Sequence, residues 1–160
     1  VMSNFGFERF LSKIGLVLKR TPVGDRYVVE EMRRLNFNLG GEQSGHIVMT
    51  DYMTTGDGLV AALQCLEIIV SSQMPASESL DKFEPYPQVT RNIKYEGDVD
   101  FLEKSSIKKM IVDSEKKLGK NGRLLLRKSG TEPLIRIMAE HHDEKLIHEV
   151  IETISEKVRK

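Results

Sequence analysis

The sequence predicts an α/β chain in two units, an α/β unit whose opening strand is absent or cut short and then a small α+β unit. Three observations carry this. Helical and strand periodicities alternate through the first half of the chain. The stretch "MPASESLDKFEPYPQ" then interrupts them with Pro75, Pro85 and Pro87 among serines and acids. Beyond it the pattern resumes in the order strand, helix, strand, strand, helix. The expected domains are therefore residues 1–76 and 89–160, joined by a linker at 77–88 that holds at most one short helical turn.

In chain order, Phe7, Phe10, Leu11 and Ile14 recur at helical spacing and stop at Gly15, and "LVLK" then reads as a short strand. "TPVGDR" is a loop, followed by a helix over 27–35 with Glu30 and Glu31 near its start and Arg33 and Arg34 near its end. "NLGGEQSGHIVMTD" is a strand entered through, or interrupted by, a glycine-bearing loop. The mostly apolar run "TTGDGLVAALQCLEIIVSSQ" is a helix with Thr54 or Thr55 as N-cap and Leu59, Leu63, Leu66 and Val70 along one side. This alternation is of the parallel-sheet type. In the second unit the strands are "VTRNIKY", "RLLLR" and "LIRIMAE", with a helix over about 104–118 and a last helix carrying Leu146, Ile147, Val150, Ile151, Ile154 and Val158 on one face. At least three strands covered by two helices are expected there.

Composition excludes several function classes. With 24 basic and 24 acidic side chains, the chain has no global field of the kind a nucleic-acid binder uses, so any anion site must be local. A lone Cys65 leaves no internal disulfide or cysteine-rich zinc site and, within an apolar helical pattern, reads as a packed thiol in a reducing cytoplasm. No run approaches the roughly twenty apolar residues of a membrane span. The expected partners thus include neither nucleic acid nor membrane. Because Val1 precedes Met2, the chain is expected to be a piece of something longer, cut by design or by proteolysis.

Two motifs carry chemistry. In "RKSGTEPLIR" a tight turn of small residues, Ser129, Gly130 and Thr131, offers backbone N–H groups and two hydroxyls, a donor nest suited to an anion with several oxygens. Arg127 flanks the turn and Arg136 lies on the outgoing strand, where Ile135 and Ile137 alternate away from it, so both guanidinium groups can approach one phosphate. In "GGEQSGH" two glycines allow a close backbone approach to a ligand, and Glu42, Ser44 and His46 share one side if the segment is extended; acceptor, hydroxyl and imidazole suit the hydroxyls of a sugar. A solvated hairpin and a strand-edge bulge are the plainer readings of these two stretches. "VGDRYV" adds Gly24, Asp25 and Arg26 ahead of a helix, where Asp25 is more often a cap than a ligand. His141, His142 and His148 lack metal-ligand spacing and read as solvated, so no metal is assigned to this chain.

The segments "RTPVGDRYV", "GGEQSGH", "TTGDG" and "RKSGTEP" occur in this order in the α-D-phosphohexomutase superfamily, which the chain resembles over essentially its whole length. The resemblance implies most of the third domain of such an enzyme followed by its complete, TATA-box-binding-protein-like fourth domain. The "GEQSGH" loop is similar to the form found in members that interconvert glucosamine 6-phosphate and glucosamine 1-phosphate on the route to UDP-N-acetylglucosamine and peptidoglycan precursors. In such enzymes a phosphoserine passes its phosphoryl group to the substrate and regains one from a bisphosphate intermediate. By resemblance, Glu42 and Ser44 hold sugar hydroxyls, His46 is a candidate for proton transfer, and Gly24, Asp25 and Arg26 line the cleft. Arg127, Ser129, Gly130, Thr131 and Arg136 clamp the non-reacting phosphate.

Lys128 departs from the family, where proline is common. Neither the family's Ser-His-Asn-Pro nucleophile motif nor its Asp-Gly-Asp-Gly-Asp-Arg magnesium loop occurs in the 160 residues. Mg2+ is therefore expected in the full-length enzyme but on no residue of this chain, which alone should be inactive. Its implied partners are a hexosamine phosphate and the N-terminal domains of the same polypeptide, with self-association plausible at an exposed strand edge. A member acting on mannose or glucose phosphates, and a non-catalytic phosphosugar-binding module, remain alternatives.

Overall fold

The computed structural model describes residues 1–94, 101–129 and 132–158. The chain divides into two compact units, Val1–Glu84 and Pro85–Lys160.

In the first unit, α1 (Phe5–Lys13) starts at Asn4, whose side-chain oxygen accepts the Gly6 N–H at 2.8 Å. Phe7 and Phe10 pack on Phe83, with ring centroids 5.3 and 6.4 Å away. The expected strand at 16–19 does not form, and Leu16 and Val17 are exposed. β-propensity holds a strand only where a neighbour pairs with it, and none of the described strands does. Helix α2 (Asp25–Leu35) opens two residues earlier than its apolar spacing suggests and ends at Asn36, which is left-handed. β1 (Leu39–Gly41) and β2 (Ile47–Met49) form an antiparallel hairpin. A Cβ on Gly40 would lie 2.3 Å from Met32 Sδ and 2.6 Å from Val28 Cγ1, so the close approach that this glycine permits is to α2. Val28, Met32 and Val48 make the small core so closed, with Val29 and Phe37 against it.

Helix α3 (Gly58–Ser72) is capped by Asp57, whose Oδ1 accepts the Leu59 and Val60 N–H groups at 2.8 and 3.0 Å; Thr54 and Thr55 lie ahead of it. Its expected buried side is exposed: Leu59, Leu63, Leu66 and Val70 keep 54% to 75% of their surface, and Cys65 is exposed rather than packed. A helix buries apolar residues only where another layer is present, and the sheet beside it here is a two-stranded hairpin. All strand pairs among the described residues are antiparallel, which corrects the parallel-sheet alternation expected for this half. The short α4 (Ala76–Leu80) follows, with buried Ser79 linking its Oγ to Ser72 Oγ at 2.8 Å.

The second unit is a three-stranded sheet in the order β3 (Gln88–Lys94), β5 (Leu134–His141), β4 (Gly122–Lys128), with α5 (Ser105–Leu118) and α6 (Glu144–Val158) on one face. Alternation decides the faces. Ile135, Ile137 and Ala139 of the central strand point at Ile147, Ile151 and Ile154 of α6, and all six are 0% exposed. Val150 and Val158 complete the apolar stripe of α6, as its spacing predicts. Asp143 caps that helix through its Oδ1, which accepts the Lys145 N–H at 2.9 Å. His141, the next inward position on β5, is 7% exposed and so is not solvated as its polarity suggests; His142 and His148 are exposed.

Candidate functional site

The first unit presents the "GEQSGH" loop at the tip of the β1–β2 hairpin. The segment is not extended. The Gly45 N–H donates to Glu42 O at 3.0 Å and the Glu42 N–H to His46 O at 2.9 Å, with Gly45 at φ 96°. This is a tight hairpin loop whose last position needs a left-handed residue, which glycine supplies without strain. The turn sets Glu42 apart from the other two candidates that alternation would have aligned and keeps Ser44 beside His46. Glu42 Oε1 accepts the Gly24 N–H at 2.8 Å, joining two motifs 18 residues apart. Ser44 Oγ lies 3.0 Å from His46 Nδ1, and both side chains are exposed. The loop thus offers a ligand the second carboxylate oxygen of Glu42, a hydroxyl and an imidazole.

Gly24 precedes α2 as its cap residue, and Asp25 opens the helix with its Oδ1 accepting the Arg26 N–H at 2.7 Å. Arg26 lies 4.7 Å from the Tyr27 ring centre and donates to Tyr27 Oη at 2.9 Å. Sequence reasoning passed over Arg20, the first residue of the same motif. Its Nη2 and Nε donate to Glu8 Oε2 at 2.7 and 3.1 Å and its Nη1 to Ser3 O at 2.6 Å, which pins the start of the loop to α1. A cleft of about 300 Å³ beside it is lined by Arg20, Tyr27, Glu30, Glu31 and Arg34. Arg34 donates to both Glu31 oxygens, at 2.7 and 2.8 Å, which holds the Glu31 carboxyl below its ordinary pKa and raises that of Arg34. Both cations of the cleft are therefore paired with acids, Arg34 with Glu31 of the lining and Arg20 with Glu8 of α1.

The second unit differs in this respect. Strand register places Arg127 of β4 directly opposite Arg136 of β5, on the sheet face away from the helices. Neither has an acidic partner among the described residues, and the buried Nε of Arg136 has no hydrogen-bond partner. Two like charges in a direct cross-strand pair repel unless an anion lies between them. Of the expected donor nest, the Ser129 N–H is already committed to Leu134 O at 2.8 Å, so Ser129 offers its hydroxyl alone. Gly130 and Thr131 lie outside the described residues.

The magnesium implied by the family finds no fitting set here. Among the described residues no group of three or more His, Cys, Asp or Glu side chains could hold a metal ion, and the Asp25 carboxylate is engaged by its own helix. No described helix is long and apolar enough to cross a membrane.

Residues 1–86 match the family model described as phosphoglucomutase/phosphomannomutase, alpha/beta/alpha domain III, and residues 88–157 match the C-terminal domain of the same family. The chain belongs to the phosphoglucomutase/phosphomannomutase family. It is 56% identical over 158 residues to a phosphoglucosamine mutase of Roseobacter denitrificans, covering 99% of this chain and 35% of that protein. It is 58% identical over 160 residues to a phosphoglucosamine mutase of Paracoccus denitrificans, covering 100% of this chain and 36% of that protein. The chain therefore spans about a third of the length of these curated relatives.

Among solved structures, an N-acetylglucosamine-phosphate mutase in its substrate complex matches with a TM-score of 0.73 at 19% identity, over 98% of this chain and 37% of that one. The Aspergillus fumigatus N-acetylphosphoglucosamine mutase matches with a TM-score of 0.77 at 16% identity, over 99% and 37%. The same fungal enzyme in complex with GlcNAc-6P and magnesium matches with a TM-score of 0.71 at 14% identity, over 100% and 40%. At these identities the likeness shows the fold of the phosphohexomutases.

Proposed function

We propose that the chain supplies sugar-binding and phosphate-binding parts of a phosphoglucosamine mutase, a cytoplasmic enzyme that interconverts glucosamine 6-phosphate and glucosamine 1-phosphate. The observation that carries this is the Arg127 and Arg136 pair, cross-strand neighbours without an acidic partner among the described residues. Such a pair suits a phosphate dianion, which two forked guanidinium groups and the Ser129 hydroxyl would hold by charge-assisted hydrogen bonds. Gly130 and Thr131 complete this clamp in the proposal. Glu42 and Ser44 accept from and donate to sugar hydroxyls, and His46, within hydrogen-bond distance of Ser44, is the imidazole placed to transfer a proton. Asp25 and Arg26 border this loop from the start of α2.

In phosphoryl transfer much of the rate comes from positioning. A clamp on the phosphate that does not react provides it for either orientation of a bisphosphate intermediate. The phosphoserine and magnesium belong to residues outside this chain, so the 160-residue chain alone is expected to bind without turnover.

The test is an amide-resolved NMR titration of the chain with glucosamine 6-phosphate, glucose 6-phosphate, mannose 6-phosphate and inorganic phosphate. Amides of 129–131 should respond to all four, and those of 42–46 to glucosamine 6-phosphate above the other sugars. Silence at 129–131 would overturn the phosphate assignment. A response of 42–46 that favours mannose or glucose phosphate would overturn the sugar assignment in favour of another member of the family.

A further inference from the structure

The face of the second unit's sheet that carries Arg127 and Arg136 has an uneven charge. Toward one end, Arg123 Nε lies 3.0 Å from Glu140 Oε2, with Arg123 mostly buried and Glu140 fully so, and the two charges compensate. Toward the end that bears the 129–133 connection, no ion pair with an acid is present among the described residues. There the register sets Asn92 of β3 opposite Arg136 and Lys94 of β3 opposite Leu134. Val89 and Ile93 pack with the helices and Arg91 reaches Ser155 of α6, so the alternate residues Asn92 and Lys94 stand on the face of the two arginines. Both are exposed, and neither side chain has a hydrogen bond or ion pair with any described residue. Asn92, Arg136 and Arg127 thus form one row across all three strands, about 10 Å from end to end. Lys94 lies one row nearer the connection.

We propose that Asn92 and Lys94 are ligand-binding residues of the phosphate site, which is built on three strands rather than on one turn. This rests on the phosphate reading of Arg127 and Arg136. Lys94 supplies a third positive charge that swings over the phosphoryl group on its flexible stem, and the Asn92 side-chain amide donates beside Arg136. The two arginines fix the plane of the anion by their forked geometry, and the ammonium follows whichever oxygen is left. The ligand class is a phosphate monoester dianion carrying a hydroxyl within reach of Asn92, which a phosphosugar provides and inorganic phosphate does not.

The competing account is that β3 is an edge strand on which Lys94 only discourages strand addition. Affinity separates the two. The chain and its N92A, K94Q, R136Q and K128Q variants are titrated by NMR with inorganic phosphate and with glucosamine 6-phosphate, after their amide spectra confirm an unchanged fold. Lys128 is the control, because it neighbours the same turn but pairs with Ile135 and points to the helix-bearing face.

The expected result is a rise in Kd of about fivefold or more for K94Q with both ligands, and a similar rise for N92A that is larger with the sugar phosphate. K128Q should change Kd by less than about twofold. Equal losses for K94Q and K128Q would overturn the proposal by showing only a diffuse field. Loss with R136Q but none with N92A and K94Q would overturn it while leaving the two-arginine site standing. No loss with R136Q would overturn the phosphate reading itself.

Discussion

His141 ends β5 inside the second unit, 7% exposed, with its ring centre 4.1 Å from that of His142. Its Nδ1 accepts the Asp143 N–H at 3.0 Å, which requires that nitrogen to be unprotonated. The ring has room because Gly122 stands opposite it in the register; a Cβ there would meet His141 Cδ2 at 2.8 Å. Burial, then the neighbouring His142, lower the pKa of His141 from its ordinary 6.5, against smaller opposing contributions from Asp143. A lowered folded value means that the unfolded chain binds the proton first as pH falls. The stability contributed by neutral His141 is therefore complete above about pH 6.5 and is lost as pH drops toward the lowered folded value. With one proton involved, the slope is at most about 1.4 kcal/mol per pH unit. Urea unfolding between pH 7.5 and 5.5 checks this: the second unit should weaken over that range, and H141Q should flatten the slope. A wild-type slope of zero or of opposite sign would contradict the burial argument.

Among the elements, α3 depends on its cap. The Asp57 carboxylate satisfies two of the N–H groups that open the helix and places a negative charge at the positive end of its dipole. Asp57→Ala should cost about 1 kcal/mol, while Thr54→Ala and Thr55→Ala should cost a few tenths, as read by thermal unfolding of the three variants. The sequence could not separate these positions, because Thr and Asp are all competent caps and the choice depends on where the loop from β2 releases the chain. Where burial follows one repeated spacing, reading was direct: α6 shows its six apolar positions at helical intervals, and β5 alternates from Leu134 to Ile137, although from Ile137 to His141 every position is buried. The segment 16–19 shows the opposite case, since apolar alternation does not reveal whether a partner strand exists. At the candidate site the residue types of "GEQSGH" and "RKSGTEP" were legible. Their geometry was not, because the bond from Gly24 to Glu42, the turn at Gly45 and the Arg127 to Arg136 register each depend on contacts between segments.

Across the whole molecule, apolar burial is unequally shared. The second unit closes five isoleucines to 0% exposure between one sheet and two helices, and its central strand is hydrogen-bonded on both sides. The first unit's hairpin core rests on Val28, Met32 and Val48, while α3 leaves Leu59, Leu63, Leu66 and Val70 to solvent. Each fully buried aliphatic side chain contributes about 1.5–3 kcal/mol, and a two-stranded hairpin is marginal without such support. The two units should therefore open at different free energies. Native-state hydrogen exchange of the chain is expected to show amides of Ile135, Ile137 and Ala139 protected by about 2 kcal/mol or more beyond those of Gly40, Val48 and the α3 interior. A single common opening energy for both sets would mean that the units unfold as one, and that cores of such different size do not set their separate stabilities.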